Sequence, residues 1–219
     1  MAGLSRKDRW IFSLYSCWCR FRSAPFNLSE IRKRPVRMLV CLPSNPDEAR
    51  KAVEIIPELV ACLGAESVYV VGEPGSVTHC DLADETISVV PLDRTTRRWF
   101  GLPSTRIVDR LSEEGLNFAV DLNPCAELLP VVLCLRIKAP IRLCLQDPHR
   151  ERFFNMRILL ADERSAHSRD TGPDRPQYSG QSDPPLAGAP ASPAETPYTR
   201  LLRVIQSAAG PPSRPRIST

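Results

Sequence analysis

The chain has 219 residues, which is enough for one domain of ordinary size together with tails. Hydrophobic residues make up 42% of the sequence, so a substantial core can form, but the 22 prolines are about twice the usual share. The net charge of +4 is modest and does not indicate a nucleic-acid partner. Positive charge is instead concentrated before residue 35, where eight basic side chains accompany two acidic ones.

The eight cysteines are interpreted as thiols rather than as a disulfide framework. Most lie among aliphatic residues in predicted strands and helices, where cysteine packs as a small hydrophobic side chain. The sequence shows no CxxC pair and no secretory signal with a cleavage site, which favours a reducing, cytoplasmic setting. Cys17 and Cys19 lack the usual zinc spacing, so no metal site is predicted.

Residues 1–34 are predicted to form a basic, aromatic arm that contains a helix. Its apolar stretch, WIFSLYSCWC, is too short to span a bilayer. One interpretation is an interfacial helix on an anionic membrane, because Trp and Phe beside Arg suit the headgroup boundary. The other is a helix that packs on the domain or on a partner domain. The membrane interpretation assigns the contacts to Trp10, Phe12, Trp18, Arg20 and Arg22.

A buried strand and a helix open the domain. The apolar run Val36–Leu42 is typical of a strand covered on both faces of a parallel sheet. After a Pro-Ser-Asn-Pro turn, Asn45 is the expected helix N-cap, and apolar residues at three- and four-residue spacing predict one helix that ends at Gly64. A second strand, Ser67–Val71, completes a βαβ unit.

The later segments continue this alternation of strands and helices. Residues 35–161 are therefore predicted to be a Rossmann-like α/β domain, a parallel sheet with helices on both faces. Residues 162–196 lack apolar periodicity and are predicted to be a disordered linker, followed by a short helix at 197–209 and a tail at 210–219. The predicted strands after the second are Thr86–Val90, Asn117–Leu122, Ile141–Leu145 and a strand-like Phe153–Leu160, and the later helices run from Ser104 to Gly115 and from Pro124 to Lys138.

Polar side chains at the ends of predicted strands are the candidate catalytic and binding residues. Asp121 and Asn123 come at the end of the fourth strand, where parallel sheets present the crevice that binds ligands. Asp47 and Asn45 follow the first strand. Asp47 and Asp121 are the candidate catalytic carboxylates, and Asn45 and Asn123 are candidate substrate ligands. Both carboxylates have a structural alternative, since Asp also stabilises the start of a helix.

Arg97 and Arg98 lie beside Trp99 and Phe100 and are further candidate substrate-binding residues. Guanidinium groups next to aromatic rings can hold a phosphate and stack on a ring. The alternative is a solvated loop with one buried tryptophan.

The motifs of well-defined cofactor and hydrolase sites are missing. No GxGxxG follows the first strand, and the sequence has no Walker, GxSxG or HExxH motif. No cofactor is therefore predicted. Rossmann-like architecture alone does not specify a function.

After the opening strand, turn and helix, the chain continues with FAVDLNP, an apolar helix, IKAPIRLCL, FFNMRI and YTRLLRVI. In this order the segments resemble the N-terminal half of the family 9 glycosyltransferases, the ADP-heptose:lipopolysaccharide heptosyltransferases and their relatives. Lys138-Ala-Pro-Ile-Arg142 matches the turn that in this family leads from the apolar helix into a strand. The resemblance covers about residues 36–160 and the last helix.

The resemblance implies a GT-B arrangement, in which two Rossmann-like domains face each other across a cleft. The N-terminal domain takes a lipid-linked sugar acceptor, and the C-terminal domain binds the nucleotide-sugar. It also implies a cytoplasmic enzyme of lipopolysaccharide synthesis, peripheral at the inner membrane. The chain ends where the donor domain would begin, so the nucleotide-sugar-binding domain is expected on another chain.

One departure from the family concerns the base. The family's first turn reads Gly-Asp, and its Asp is the presumed base. Here the turn is Pro43-Ser-Asn-Pro-Asp47, which displaces the carboxylate and removes the glycine. Two hypotheses follow. The chain is either a glycosyltransferase-like acceptor domain with Asp47 and Asp121 in its cleft, or a non-catalytic Rossmann-like module that binds a protein partner or a membrane surface.

Overall fold

The computed structural model describes residues 10–15, 35–78, 84–93, 95–97, 101–145, 147, 149–150, 152–158 and 196–209. The strands in this part of the chain are β1 (Val36–Cys41), β2 (Ala65–Gly72), β3 (Ile87–Pro91), β4 (Phe118–Asp121), β5 (Ile141–Leu145) and β6 (Met156–Ile158). The helices are α1 (residues 10–15), α2 (Pro46–Glu54), α3 (Ile56–Leu63), α4 (Pro74–Val77), α5 (Thr105–Glu113), α6 (Leu128–Ile137) and α7 (Pro197–Ala209).

The strands form one sheet in the order β3-β2-β1-β4-β5-β6, and every neighbouring pair is parallel. The predicted Rossmann-like α/β fold is therefore confirmed. The chain steps outwards from β1 to β3 and then crosses back to start again at β4, beside β1. The strand order reverses at that point, and open α/β sheets bind their ligands there, outside the carboxyl ends of the strands.

Helices cover both faces of the sheet, because the side chains of a strand alternate between the two faces. Met38 and Val40 of β1 pack in a core with α2, α3 and α7. Leu39 and Cys41 point the other way, into a core with α1, α5 and α6. Burial on both sides explains the apolar run of this strand from Met38 to Cys41.

The helix predicted after β1 is in fact two helices, α2 and α3. Asn45 caps α2 as predicted, because its Oδ1 accepts hydrogen bonds from the backbone N–H groups of Asp47 and Glu48. The break comes at Ile55, and Pro57 lies in the first turn of α3. Proline lacks an amide hydrogen and its ring collides with the preceding turn, so one continuous helix cannot form across this position.

Helix α1 packs against the sheet, which corrects the membrane role predicted for Phe12. Ile11 and Phe12 are each only 6% exposed, and the ring centroids of Phe12 and Phe153 lie 5.5 Å apart. Phe12 is therefore a core residue, held by apolar contacts on the α5–α6 face. For these two side chains of α1, the interpretation of a helix packed on the domain is the one that applies.

The other predicted membrane contacts stay predictions. Trp10 is 67% exposed on α1, whereas Trp18, Arg20 and Arg22 lie outside the described residues. Among the helices that the structure describes, none is both long enough and apolar enough to cross a membrane.

The helix predicted at 197–209 is α7, and it closes the face of the sheet opposite α1. Its buried residues have the spacing of one helix face and pack beside α3 and β6. The hydroxyl of Tyr198 donates a hydrogen bond to Glu48 Oε2 at 3.0 Å, which links α7 to α2. Burial, together with this hydrogen bond, raises the pKa of Tyr198. The predicted linker (apart from Thr196) and the tail at 210–219 lie outside the described residues.

Among the described residues, Cys41, Cys125, Cys134 and Cys144 are free thiols. Cys41, Cys134 and Cys144 are buried, as the sequence interpretation expects of small hydrophobic side chains. The sulfurs of Cys41 and Cys134 lie 3.8 Å apart between β1 and α6. Burial raises the pKa of Cys144 to about 12, so this thiol stays protonated and unreactive at neutral pH.

Candidate functional site

A cleft of about 190 Å³ lies at the carboxyl edge of the sheet, where β1 and β2 end and α6 begins. The aliphatic parts of its wall include Leu42 and Leu129. Its polar side chains belong to Ser44, Glu73, Arg97 and Glu127, from four separate segments of the chain. The cleft is beside the reversal of strand order, the position where the fold predicts a ligand site.

Glu127 is the most distinctive group in the cleft. It takes the N-cap position of α6, and its Oε1 accepts a hydrogen bond from the Ser44 hydroxyl at 2.6 Å and a longer one from the Ser44 amide at 3.4 Å. Burial raises the pKa of the Glu127 carboxyl, and the negative charges of Asp121 and Glu73 add to this, while the hydrogen bonds from Ser44 oppose it. The result is a carboxyl group that is held in a fixed position and whose pKa lies closer to neutral pH than that of an ordinary glutamate.

A charge pair forms another part of the wall. Arg97 Nη2 lies 2.7 Å from Glu73 Oε1, and the two side chains are 28% and 43% exposed. Arg97 Nε is buried without a hydrogen-bond partner among the described residues. Since Glu73 and Arg97 neutralise each other, Glu127 supplies the uncompensated charge among the described residues of the cleft wall.

The turn after β1 is held in place from β2 and α4. Ser76 is fully buried, and its hydroxyl donates to the carbonyl oxygen of Pro43 at 2.7 Å. Gly72 leaves room for this turn, because a Cβ at that position would lie 3.1 Å from Leu42 Cβ and 3.2 Å from Val77 Cγ1. These contacts fix the position of Ser44, the hydrogen-bond donor to Glu127.

The end of β4 carries a buried ion pair. Asp121 Oδ2 lies 2.8 Å from Arg150 Nη1, and both side chains are 0% exposed. Asp121 Oδ1 accepts hydrogen bonds from the amide of Asn123 at 3.1 Å and from its Nδ2. Arg150 also donates from Nη2 to the carbonyl oxygen of Leu145 at 3.0 Å. The network ties the ends of β4 and β5 to the connection that follows β5.

The structure places the predicted site residues in different surroundings. Asp47 is exposed at the start of α2, and the Asn45 side chain is occupied in capping that helix. Asp121 is at the predicted strand end, but its carboxylate is enclosed by Arg150 and Asn123. None of these groups lines the cleft. Their catalytic and substrate-binding roles stay predictions.

Arg97 is the predicted residue that does line the cleft, and Arg98 lies outside the described residues. Sequence reasoning missed Ser44, Glu73 and Glu127. Glu127 had a usable signal, since it is an acidic residue directly before an apolar helix on the carboxyl side of a strand. Within the described residues, no three His, Cys, Asp or Glu side chains come together as a metal site.

Replacing Glu127 with glutamine is expected to raise the thermal stability at neutral pH. A carboxyl whose pKa is raised on folding contributes stability in its protonated form, and that contribution is lost as the pH rises through the raised value. Glutamine keeps the shape of the side chain without its charge. At pH values above the ordinary carboxyl pKa, Glu127→Gln should therefore be more stable than the wild type. The advantage should shrink as the pH falls towards 4.5, the pKa of an unperturbed glutamate.

Melting temperatures measured from pH 4 to pH 8 (roughly the span of carboxyl titration) test this. Glu54→Gln, which removes an exposed carboxyl from α2, is the control. It shows how much the loss of one negative charge by itself changes the melting temperature. If the melting temperatures of Glu127→Gln and of the wild type change with pH in parallel, burial does not shift the pKa of Glu127.

The fold and the cleft together define the class of this protein. It is a Rossmann-like α/β domain with a small, carboxylate-bearing crevice at the carboxyl edge of its sheet. Comparison of the chain with protein-family models, with curated proteins and with solved structures finds no match.

Proposed function

We propose that this chain is the acceptor-side domain of a glycosyltransferase and that it binds a small hydroxylated ligand in the cleft at Glu127. The observation that carries the proposal is the hydrogen-bonded, partly buried carboxyl of Glu127 beside the reversal of strand order. The resemblance to the family 9 enzymes supports the same class. In this proposal the nucleotide-sugar is bound by a partner domain, and the work is done at the cytoplasmic surface of a membrane.

The chemistry of sugar transfer suits such a group. The attacking hydroxyl of the acceptor must lose a proton, and a positioned carboxylate with a pKa nearer to the working pH is an effective base. Ser44 holds Glu127 by two donors, which fixes the orientation of the carboxyl. The cleft volume of about 190 Å³ is below the range of roughly 300–1,000 Å³ of sites for drug-sized ligands. It therefore suits a single sugar ring better than an oligosaccharide.

A second candidate function is a non-catalytic binding module. It is favoured by one observation: Asp47 and Asp121, the carboxylates predicted to act in catalysis, both lie away from the cleft wall. In that case the cleft binds a ligand without reacting with it, and contacts with a protein partner or a membrane carry the function.

Ligand-observed NMR with a panel of hexoses and heptoses tests the proposed acceptor site. We expect at least one monosaccharide to give saturable binding to the wild-type chain. Leu129→Trp places a large side chain in the cleft wall and should abolish that binding. Leu14→Trp enlarges a residue of α1 that is 52% exposed and outside the cleft, so it should bind as the wild type does. Absence of saturable binding to the wild type, or equal binding by both variants, would contradict the proposal.

A further inference from the structure

We infer that the cleft selects a ligand that carries a protonated amine, an amino sugar within the class proposed above, over its neutral counterpart. This inference depends on the proposed function, because it assumes that the ligand lies in the cleft. It goes further in naming the charge of the ligand.

The first step is the charge of the cleft. The side chains of its described wall that carry a charge at neutral pH are Glu73, Arg97 and Glu127. Glu73 and Arg97 are paired at 2.7 Å, and the carboxylate of Asp121, which also acts on Glu127, is neutralised by Arg150 at 2.8 Å. Glu127 has the hydroxyl and amide of Ser44 as its hydrogen-bond donors and no cation beside it among the described residues. Counted over the described residues, the cleft is one positive charge short of neutrality.

The second step concerns the position of Glu127 at the N-terminus of α6. In Rossmann-like folds a helix start at the carboxyl edge is a favourable place for a phosphate, because free N–H groups and the helix dipole attract anions. Here the N-cap residue is Glu127, and its carboxyl makes no cap hydrogen bond to the helix but bonds to Ser44 instead, so a fixed negative charge lies beside the helix start. A phosphate or carboxylate ligand placed next to it would meet like-charge repulsion from the Glu127 carboxylate. Anionic ligands are therefore disfavoured, in contrast to the usual case.

The third step compares the two remaining kinds of ligand. A hydroxyl and an ammonium group can both donate a hydrogen bond to the Glu127 carboxylate. Both hydrogen bonds have a charged acceptor, but only the ammonium adds a full opposite charge, so its attraction to the carboxylate is the stronger of the two. The partial burial of Glu127 keeps this difference from being screened as it would be at the surface. The amine is therefore the better complement to this cleft.

Isothermal titration calorimetry with glucosamine, glucose and N-acetylglucosamine tests the inference at pH 7. We expect glucosamine to bind the wild type about tenfold more tightly than glucose, because only glucosamine adds the attraction between opposite full charges. N-acetylglucosamine has a substituent at the same carbon without the charge and should show no such advantage. Glu127→Gln should lose the preference for the amine, and Glu54→Gln, which removes an exposed carboxyl from α2, should keep it.

The possible results separate this inference from the proposed function. If glucosamine and glucose bind the wild type equally, the sugar site stands and the selection of amines is refuted. If none of the three sugars binds, the inference is refuted, and the panel of hexoses and heptoses decides separately whether the sugar site stands. Should Glu127→Gln fail to fold, the salt dependence of the wild type gives the answer. The advantage of glucosamine must weaken as ionic strength rises, and an advantage indifferent to salt would refute a charge-based preference.

Discussion

Replacing Arg150 with leucine is expected to destabilise the protein by about 3–5 kcal/mol. Arg150 is 0% exposed, donates to Asp121 at 2.8 Å, and also donates to the carbonyl oxygen of Leu145 at 3.0 Å. Removing the guanidinium leaves the Asp121 carboxylate buried without its counter-ion. The resulting loss in the free energy of unfolding is much larger than the net contribution of the intact ion pair. Urea denaturation followed by circular dichroism measures the change.

Two further variants make this result specific. Arg152→Leu removes an exposed arginine two residues away and should change stability by less than about 0.5 kcal/mol. The double variant Asp121→Leu with Arg150→Leu should be less destabilised than Arg150→Leu alone, because no unpaired charge remains. If the double variant is the less stable of the two, the loss reflects packing and not the stranded carboxylate.

The second large effect is expected at α7, where Leu201→Ala should cost about 2–5 kcal/mol. Leu201 is 0% exposed and belongs to the same apolar core as α3, β5 and β6. Alanine at this position leaves a cavity that the rigid sheet beside it cannot fill. The free energy of unfolding from urea titrations is again the measurement.

Val204→Ala provides the matched control on the same helix. Val204 is 39% exposed, so its truncation should cost less than about 0.5 kcal/mol. A large difference between the two variants shows that α7 packs on the sheet in solution through the face that contains Leu201. Equal, small effects for both variants would mean that α7 is not part of the folded core.

The functional site was harder to predict from sequence than the fold. Asp121 lies at the end of β4, as predicted, next to the end of the parallel strand β1. Whether a carboxylate at that edge is open to a ligand depends on its neighbours, and the neighbour that encloses it, Arg150, is 29 residues away. Glu127 acquires its hydrogen-bond donor, Ser44, across 83 residues. No local pattern contains either contact.

Helix α1 shows the same division. The arm at residues 1–34 combines aromatic, aliphatic and basic residues, which is compatible with a membrane surface and with a protein core, because an apolar helix face is stable in both environments. The contact of Phe12 with Phe153 decides the matter for Phe12. That contact joins the arm to the connection before β6, so the sequence of the arm alone does not contain it.

The sequence by itself determined where most strands and helices lie and that the sheet is parallel. The signals for these elements are aliphatic runs, apolar periodicity and helix caps such as Asn45 and Ser104. Each depends on residues that are close together in the chain, so it can be recognised in the amino-acid sequence. The tertiary structure decided which polar groups became a cleft and which became a buried support. Burial and pairing set the charge and the pKa of a side chain, and both depend on segments that only the folded chain brings together.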